Sequence, residues 1–153
     1  CYPLTEMRIT MHTEIPVILV SHGPFAQGAL ACAEMLIGKQ NYVATLSLLP
    51  ETNINDARLE LNEIYCTLNQ GRGVVMLVDM LGGSPCNIAS ELLLTHDDIL
   101  LYCGFNIPVL LEVLSNRDGS REDIAQVIED VFPASCLNVG NTLHADHTPS
   151  TDL

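Results

Sequence analysis

The segment that decides the fold reads Ile15-Pro-Val-Ile-Leu-Val-Ser-His22-Gly-Pro24. Its apolar run predicts a strand buried on both faces, and the Gly-Pro turn after His22 is a place where a helix can begin. Strands of this kind are typical of the parallel sheet of an α/β protein, which carries its ligand sites at the carboxyl ends of its strands. His22 is therefore the first candidate functional residue, although a single histidine at this position also fits an ordinary turn.

A second segment of the same form lies in the middle of the chain and reads Val74-Val-Met-Leu-Val-Asp79. If the first and third strands are neighbours, as in a doubly wound sheet, His22 and Asp79 lie side by side. A carboxylate bonded to one ring nitrogen fixes the tautomer and leaves the other nitrogen free to attack near pH 7. We predict that His22 and Asp79 are catalytic, while a loop-capping role for Asp79 stays open.

The turn after Asp79 predicts an anion site. Ser84 is suited to be a helix N-cap and Pro85 the first helical residue, and the glycines before them allow a sharp turn with outward amides. Free N–H groups and the positive end of a helix favour a phosphoryl group. We predict that Gly82, Gly83 and Ser84 bind phosphate, the alternative being an ordinary strand-to-helix loop.

Other kinds of site find little support. The chain has no GxxxxGK[ST] nucleotide-binding loop, and Lys39 is its only lysine; the GxSxG motif of hydrolases is also missing. Ser21 is expected to bond within the turn rather than act as a nucleophile. No acidic cluster lies beside His22, so neither a metal nor another cofactor is expected.

Alternating strand and helix patterns along the rest of the chain predict an α/β fold, a doubly wound and mostly parallel sheet with helices on both faces. A last short strand is predicted at 135–139. The predicted strands are 16–20, 42–48, 74–79 and 99–103, and the predicted helices are 25–37, 55–69, one starting at 84, 108–116 and one after the capping box at 120–123.

Composition limits the class of protein. The 153 residues, 48% of them apolar, fit one domain at 15–139, with a leader or added segment at 1–14 and a flexible tail at 140–153. The net charge of −13 argues against nucleic acid and anionic membranes as partners. No apolar run approaches the roughly 20 residues that cross a bilayer. Six cysteines without metal-site spacing are expected to be thiols in the cytoplasm.

Three segments together resemble the IIA component of the mannose/fructose/sorbose family of the bacterial phosphoenolpyruvate-dependent sugar phosphotransferase system. They are the strand ending at His22, the stretch 78–90, and Cys103-Gly-Phe-Asn-Ile-Pro-Val-Leu-Leu-Glu112. The resemblance spans about 15–131. It implies that His22 accepts a phosphoryl group from the phosphocarrier protein HPr and passes it to a separate IIB subunit, which serves the IIC/IID membrane permease in sugar uptake. The chain would thus be a cytoplasmic phosphotransferase.

The resemblance also implies the role of each site residue. Asp79 would bond the ring of His22, Ser84 and the two glycines would face the phosphate, and the phosphoryl group would sit on Nε2 if Asp79 holds Nδ1–H. Members of the family are similar to one another in their doubly wound sheet of strand order 2-1-3-4. The resemblance also implies a C-terminal antiparallel edge strand that is exchanged between the two chains of a homodimer. Cys136-Leu-Asn-Val139 is the candidate for that strand. Leu81 replaces an aromatic residue often found at the rim.

Three other functions compete with this reading. A phosphocarrier subunit of a dihydroxyacetone kinase system uses a related domain, but the Gly82 to Pro85 motif argues against it. A small α/β chelatase or metal-binding protein would need further ligands, and the other histidines are poorly placed. A regulatory domain without turnover would have no need to keep both His22 and Asp79.

Overall fold

Four parallel strands form the sheet at the centre of the protein. The computed structural model describes residues 13–145, and in them the strand order is β2-β1-β3-β4. The strands are β1 Val17–His22, β2 Val43–Leu48, β3 Val74–Val78 and β4 Ile99–Cys103. The predicted α/β fold, the sheet order and the parallel pairing are confirmed.

Helices cover both faces of this sheet, as predicted. Alternate strand residues such as Val17 and Leu19 pack under the first, fourth and fifth helices along the chain, while Ile18 and Val20 pack under the second and third. The larger helices are α1 Phe25–Ile37, α2 Ile54–Leu68, α3 Gly83–Thr95, α4 Ile107–Ser115 and α5 Arg121–Val131. A 3-10 turn at Phe132–Ala134 and the short α6 Val139–Ala145 follow. None of the helices in residues 13–145 has the length and apolar content needed to cross a membrane.

The register of the two central strands creates the functional edge. Val20 pairs with Val78, so the residues that follow each of them emerge next to one another. The N–H of Asp79 donates to the carbonyl of Val20 at 3.2 Å and extends this pairing by one residue beyond β3. His22 and Asp79 are thereby held at the same carboxyl edge of the sheet.

The predicted start of one helix was wrong. Helix α3 begins at Gly83 with Gly82 as its N-cap, two residues before the predicted start at Ser84 and Pro85. The reason is that a proline anywhere in the first turn of a helix loses no hydrogen bond, so Pro85 also tolerates the third position.

The predicted strand at 135–139 is likewise not formed in the described chain. Helix α5 runs into the 3-10 turn, which the Ser135 N–H closes on the Phe132 carbonyl at 3.0 Å, and α6 starts at Val139. A strand needs the backbone of a neighbour, and Leu137 in this segment is instead exposed. The predicted leader at 1–14 and tail at 140–153 lie mostly outside the described residues and stay predictions.

Candidate active site

The site is built around the ring of His22 at the end of β1. The ring Nδ1 lies 2.7 Å from Oδ2 of Asp79, and the same oxygen accepts the backbone N–H of His22 at 2.9 Å. The other carboxylate oxygen of Asp79 accepts the N–H of Met80 at 2.9 Å. The side chain of His22 is 49% exposed and that of Asp79 only 15%. The carboxylate thus holds the ring from the protein side while the rest of the ring faces solvent.

The electrostatics of Asp79 decide which nitrogen of His22 carries the proton. Burial raises the pKa of Asp79, but the hydrogen bonds from the His22 backbone and ring and from Met80, together with the histidine charge, outweigh it and lower that pKa. Asp79 is therefore ionised at neutral pH and can only accept hydrogen bonds. Nδ1 of His22 must then carry the hydrogen, and a neutral ring has its lone pair on Nε2.

The start of α3 lies against this free nitrogen. A Cβ atom placed on Gly83 would come within 3.0 Å of both Cε1 and Nε2 of His22. Gly82 and Gly83 both have φ of +80°, a conformation that side chains disfavour. The two glycines therefore let the positive end of a 13-residue helix approach Nε2.

Ser84 follows Gly83 in the first turn of α3. It is exposed in the first turn of α3 and lines a shallow groove between α2 and α3 together with Arg58, Asn87 and Glu91. Arg58 forms a two-pronged pair with Glu91 at 2.6 and 3.0 Å along this groove. Of the predicted phosphate-binding residues, it is Gly83 that the structure places against the histidine ring.

Ser21 has the structural role that was expected of it. Its buried hydroxyl accepts the N–H of Ala26 at 2.8 Å and donates to the carbonyl of Gly23 at 3.2 Å. It thus satisfies an amide in the first turn of α1, whose N-cap Pro24 makes no side-chain bond. This contact fixes the turn that presents His22.

Apolar side chains form the rim of the site. Met80 and Leu81, just after Asp79, are 55% and 80% exposed, and Phe25 at the start of α1 is 44% exposed. Phe25 stacks on Phe105 with ring centres 5.2 Å apart. Met80 and Phe25 were not singled out in the sequence, where an apolar residue beside a strand is indistinguishable from core.

A contact between two cysteines, one in α3 and one at the end of β4, was not predicted from the sequence. The sulfurs of Cys86 and Cys103 lie 3.4 Å apart, although 17 residues separate them in the chain.

Residues 13–145 contain no group of three or more His, Cys, Asp or Glu side chains arranged to hold a metal ion. His96, another of the histidines, packs against Tyr65 with ring centres 4.5 Å apart and ring planes tilted by 60°.

Comparison with known proteins establishes the family. Residues 16–132 match the family model of the PTS system fructose IIA component, where PTS is the sugar phosphotransferase system. The chain belongs to this family. The resemblance inferred from the three motifs is thereby confirmed, and none of the three competing functions is favoured by the comparisons.

Individual proteins of the sugar phosphotransferase system are also similar to this chain in sequence. The mannose-specific EIIAB component of Escherichia coli K12 is 36% identical over 104 residues, which are 68% of this chain and 32% of that protein. The chain therefore spans about a third of the length of that relative. The sorbose-specific EIIA component of Klebsiella pneumoniae is 27% identical over 80% of this chain and 90% of its own.

A solved structure of the family has the same fold. The PTS IIA protein associated with the fucose utilization operon of Streptococcus pneumoniae superposes with a TM-score of 0.77 at 34% identity. The match covers 85% of this chain and 96% of that one. The chain is thus a PTS IIA component of the mannose/fructose family in both sequence and fold.

Proposed function

We propose that this chain is a phosphocarrier that accepts a phosphoryl group from phospho-HPr on Nε2 of His22 and passes it to a IIB subunit. The observation that carries the proposal is the position of His22, with Nδ1–H held on the Asp79 carboxylate at 2.7 Å and Nε2 beside the start of α3. This arrangement leaves one nucleophilic nitrogen, oriented and next to a site of positive potential. A transient phosphohistidine needs these features.

The transfer is an in-line displacement between two nitrogens. The Nε2 lone pair of His22 forms the new P–N bond while the P–N bond to the donor histidine breaks, and the donor nitrogen keeps the electron pair. The ring of His22 then carries positive charge, which the ionised Asp79 stabilises through Nδ1–H. Transfer to the IIB subunit reverses these steps on a different acceptor. No proton has to leave Nδ1 at any point.

The chain supplies position and charge to this step. Phosphoryl transfer relies mainly on orientation and electrostatic stabilisation of the equatorial oxygens. The free amides in the first turn of α3, which follows its N-cap Gly82 and starts at Gly83, would bind those oxygens, and the Ser84 hydroxyl in the same turn is a further donor. An acidic protein of net charge −13 needs such local donors to offset the added phosphate.

The wider setting follows from this role. A relay starting at phosphoenolpyruvate, a metabolite of the cytoplasm, places the carrier there, with the IIB subunit linking it to a IIC/IID permease. We also infer a homodimer in which the C-terminal segment pairs with the partner chain. Its support is the exposure of Leu137, Val139 and Leu143, which are 63%, 66% and 58% exposed in a single chain.

Reconstitution of the relay tests the proposal. The protein is incubated with phosphoenolpyruvate, enzyme I and HPr, and its intact mass is followed in time. We expect the wild type to acquire one acid-labile phosphoryl group. The His22→Gln variant should acquire none, and the Asp79→Asn variant should be phosphorylated more slowly. His96→Gln and Asp97→Asn are the matched controls and should behave as wild type. An unmodified wild-type protein would refute the proposal.

A second stage identifies the acceptor. The phosphorylated protein is mixed either with a IIB subunit or with the subunits of a dihydroxyacetone kinase. Loss of the phosphoryl group to IIB alone supports the proposal. Transfer only to the kinase would replace it with the rival function.

A further inference from the structure

Cys86 and Cys103 form an isolated thiol pair directly beneath the active site. Cys86 lies in the second turn of α3 and is 6% exposed, and Cys103 ends β4. Their sulfurs are 3.4 Å apart, so a disulfide requires them to approach by about 1.4 Å. All the cysteines within residues 13–145 are free thiols.

The two thiols differ in acidity. Burial raises the pKa of Cys86, but hydrogen bonds from the Gly82 N–H and from the Cys103 and Ser90 side chains outweigh it and lower that pKa. Burial and the neighbouring Cys86 raise the pKa of Cys103 to about 11. Cys86 is therefore the better nucleophile of the pair, and Cys103 keeps its proton. A more acidic thiol in contact with a second thiol is the arrangement of a redox-sensitive pair.

We propose that Cys86 and Cys103 form a reversible disulfide on exposure to hydrogen peroxide, and that this bond slows phosphoryl transfer at His22. The Cys86 thiolate attacks peroxide, releasing hydroxide and leaving a sulfenic acid. The Cys103 sulfur then displaces the sulfenic oxygen as water. In sum, two thiols and one hydrogen peroxide give one disulfide and two waters. A dithiol reductant restores both thiols by exchange.

The path from the thiols to His22 is short. Cys86 lies in α3, one helical turn after Gly83, and Gly83 lies against the His22 ring. Oxidation draws the Cys86 sulfur toward Cys103 at the end of β4 and so pulls on the first turn of α3. The glycine turn must then shift relative to Nε2, and small misplacements of this kind are costly in phosphoryl transfer. This second part of the proposal rests on the proposed phosphocarrier function.

A variant that keeps only this pair tests both parts. Cys1, Cys32, Cys66 and Cys136 are replaced by serine, and the protein is treated with hydrogen peroxide and then with an alkylating agent. We expect a mass lower by two hydrogens, a cross-linked peptide joining Cys86 and Cys103, and recovery of both thiols with dithiothreitol. The rate of phosphorylation by phospho-HPr should fall by about tenfold on oxidation and recover on reduction. Cys103→Ser in the same background should show neither the cross-link nor the reversible loss.

The outcomes separate the two claims. Alkylation of both thiols after peroxide, or overoxidation of Cys86 without a cross-link, would overturn the disulfide. A disulfide that leaves the phosphorylation rate unchanged would overturn its control of His22. If the reduced protein accepts no phosphoryl group, the proposed function fails, while the mass measurement still decides whether the disulfide forms.

Discussion

At the scale of single residues, the site depends on the side chain that Gly83 lacks. In Gly83→Ala the new Cβ would meet the His22 ring at 3.0 Å, on the side of Nε2 where the phosphoryl group is proposed to bind. A φ of +80° adds strain of about 1–2 kcal/mol. We expect a lower free energy of unfolding in urea and a phosphorylation rate reduced by about a hundredfold.

Gly82→Ala is the matched control for this prediction. Gly82 has the same φ of +80°, but a Cβ there would meet nothing within 4 Å. The stability loss should therefore be similar, while the rate falls much less. Equal rates in the two variants would show that strain, rather than obstruction of Nε2, limits the reaction.

The ion pair of Asp79 and His22 predicts a pH dependence of stability. Hydrogen bonds to Asp79 hold its folded-state pKa below the ordinary value of 3.8 despite its burial. Its contribution is fully present above the unfolded pKa and is lost as pH falls through the lower folded pKa. In urea titrations, the advantage of wild type over Asp79→Asn should be present at about pH 5 and shrink below about pH 4. An advantage that is undiminished at about pH 2 would contradict this assignment.

At the scale of elements, Asn106 links two helices that support the histidine edge. Its side chain caps α4 by accepting the Val109 N–H at 3.0 Å, and it donates to the Ser135 hydroxyl at 2.7 Å. Asn106→Ala removes both bonds and should lower the free energy of unfolding by about 1–2 kcal/mol. Asn62→Ala, on the exposed surface of α2, is the control and should change little or stabilise slightly, because alanine favours helices. Equal losses would mean that the cap contributes nothing.

Elements with a strong local pattern could be predicted from the sequence. Strand β1 is a short apolar run followed by a Gly-Pro turn, and helix α1 has apolar residues at helical spacing followed by Gly38. Helix α1 was therefore predicted with its observed bounds. The start of α3 was missed because Gly82, Ser84 and Pro85 each fit more than one position of a helix start. The segment 135–139 was misread because a short apolar run indicates a strand only if a neighbouring backbone is available.

The site was predictable only in part, for a related reason. His22 and Asp79 each follow a buried strand, so the topology alone places them at one edge. The contact between Cys86 and Cys103 depends on the packing of α3 over β4, which no local pattern records. The same holds for the contact of Gly83 with the His22 ring, since the position of the start of α3 decides it.

At the scale of the whole molecule, a buried arginine ties together the end of the sheet opposite to the site. The Arg117 guanidinium donates to the Asn41 carbonyl at 2.9 Å and the Gln40 amide oxygen at 3.1 Å, and it pairs with Glu14 at 3.3 Å. Its backbone carbonyl accepts the N–H of Ile15 at 2.9 Å. The start of β1, the approach to β2 and the end of α4 therefore meet at one side chain.

Arg117→Lys should destabilise the whole fold. Lysine cannot reproduce the forked donor geometry, so buried carbonyls lose their partners, and we expect a loss of about 2–4 kcal/mol in chemical unfolding. The control is Arg58→Lys, which changes the exposed ion pair of Arg58 with Glu91 and should change the free energy of unfolding little. A similar loss of free energy of unfolding in both variants would show that the buried hydrogen bonds of Arg117 contribute no more to stability than an exposed ion pair.

The central claim is that the phosphoryl group sits on Nε2 of His22 while Asp79 retains Nδ1–H. The most direct measurement is a nitrogen-15 NMR spectrum of the histidine-labelled protein after phosphorylation by phosphoenolpyruvate, enzyme I and HPr. We expect phosphorus coupling at Nε2 of His22 and a protonated Nδ1 hydrogen-bonded to Asp79. Phosphorus coupling at Nδ1, or at the ring of any other histidine, would contradict it.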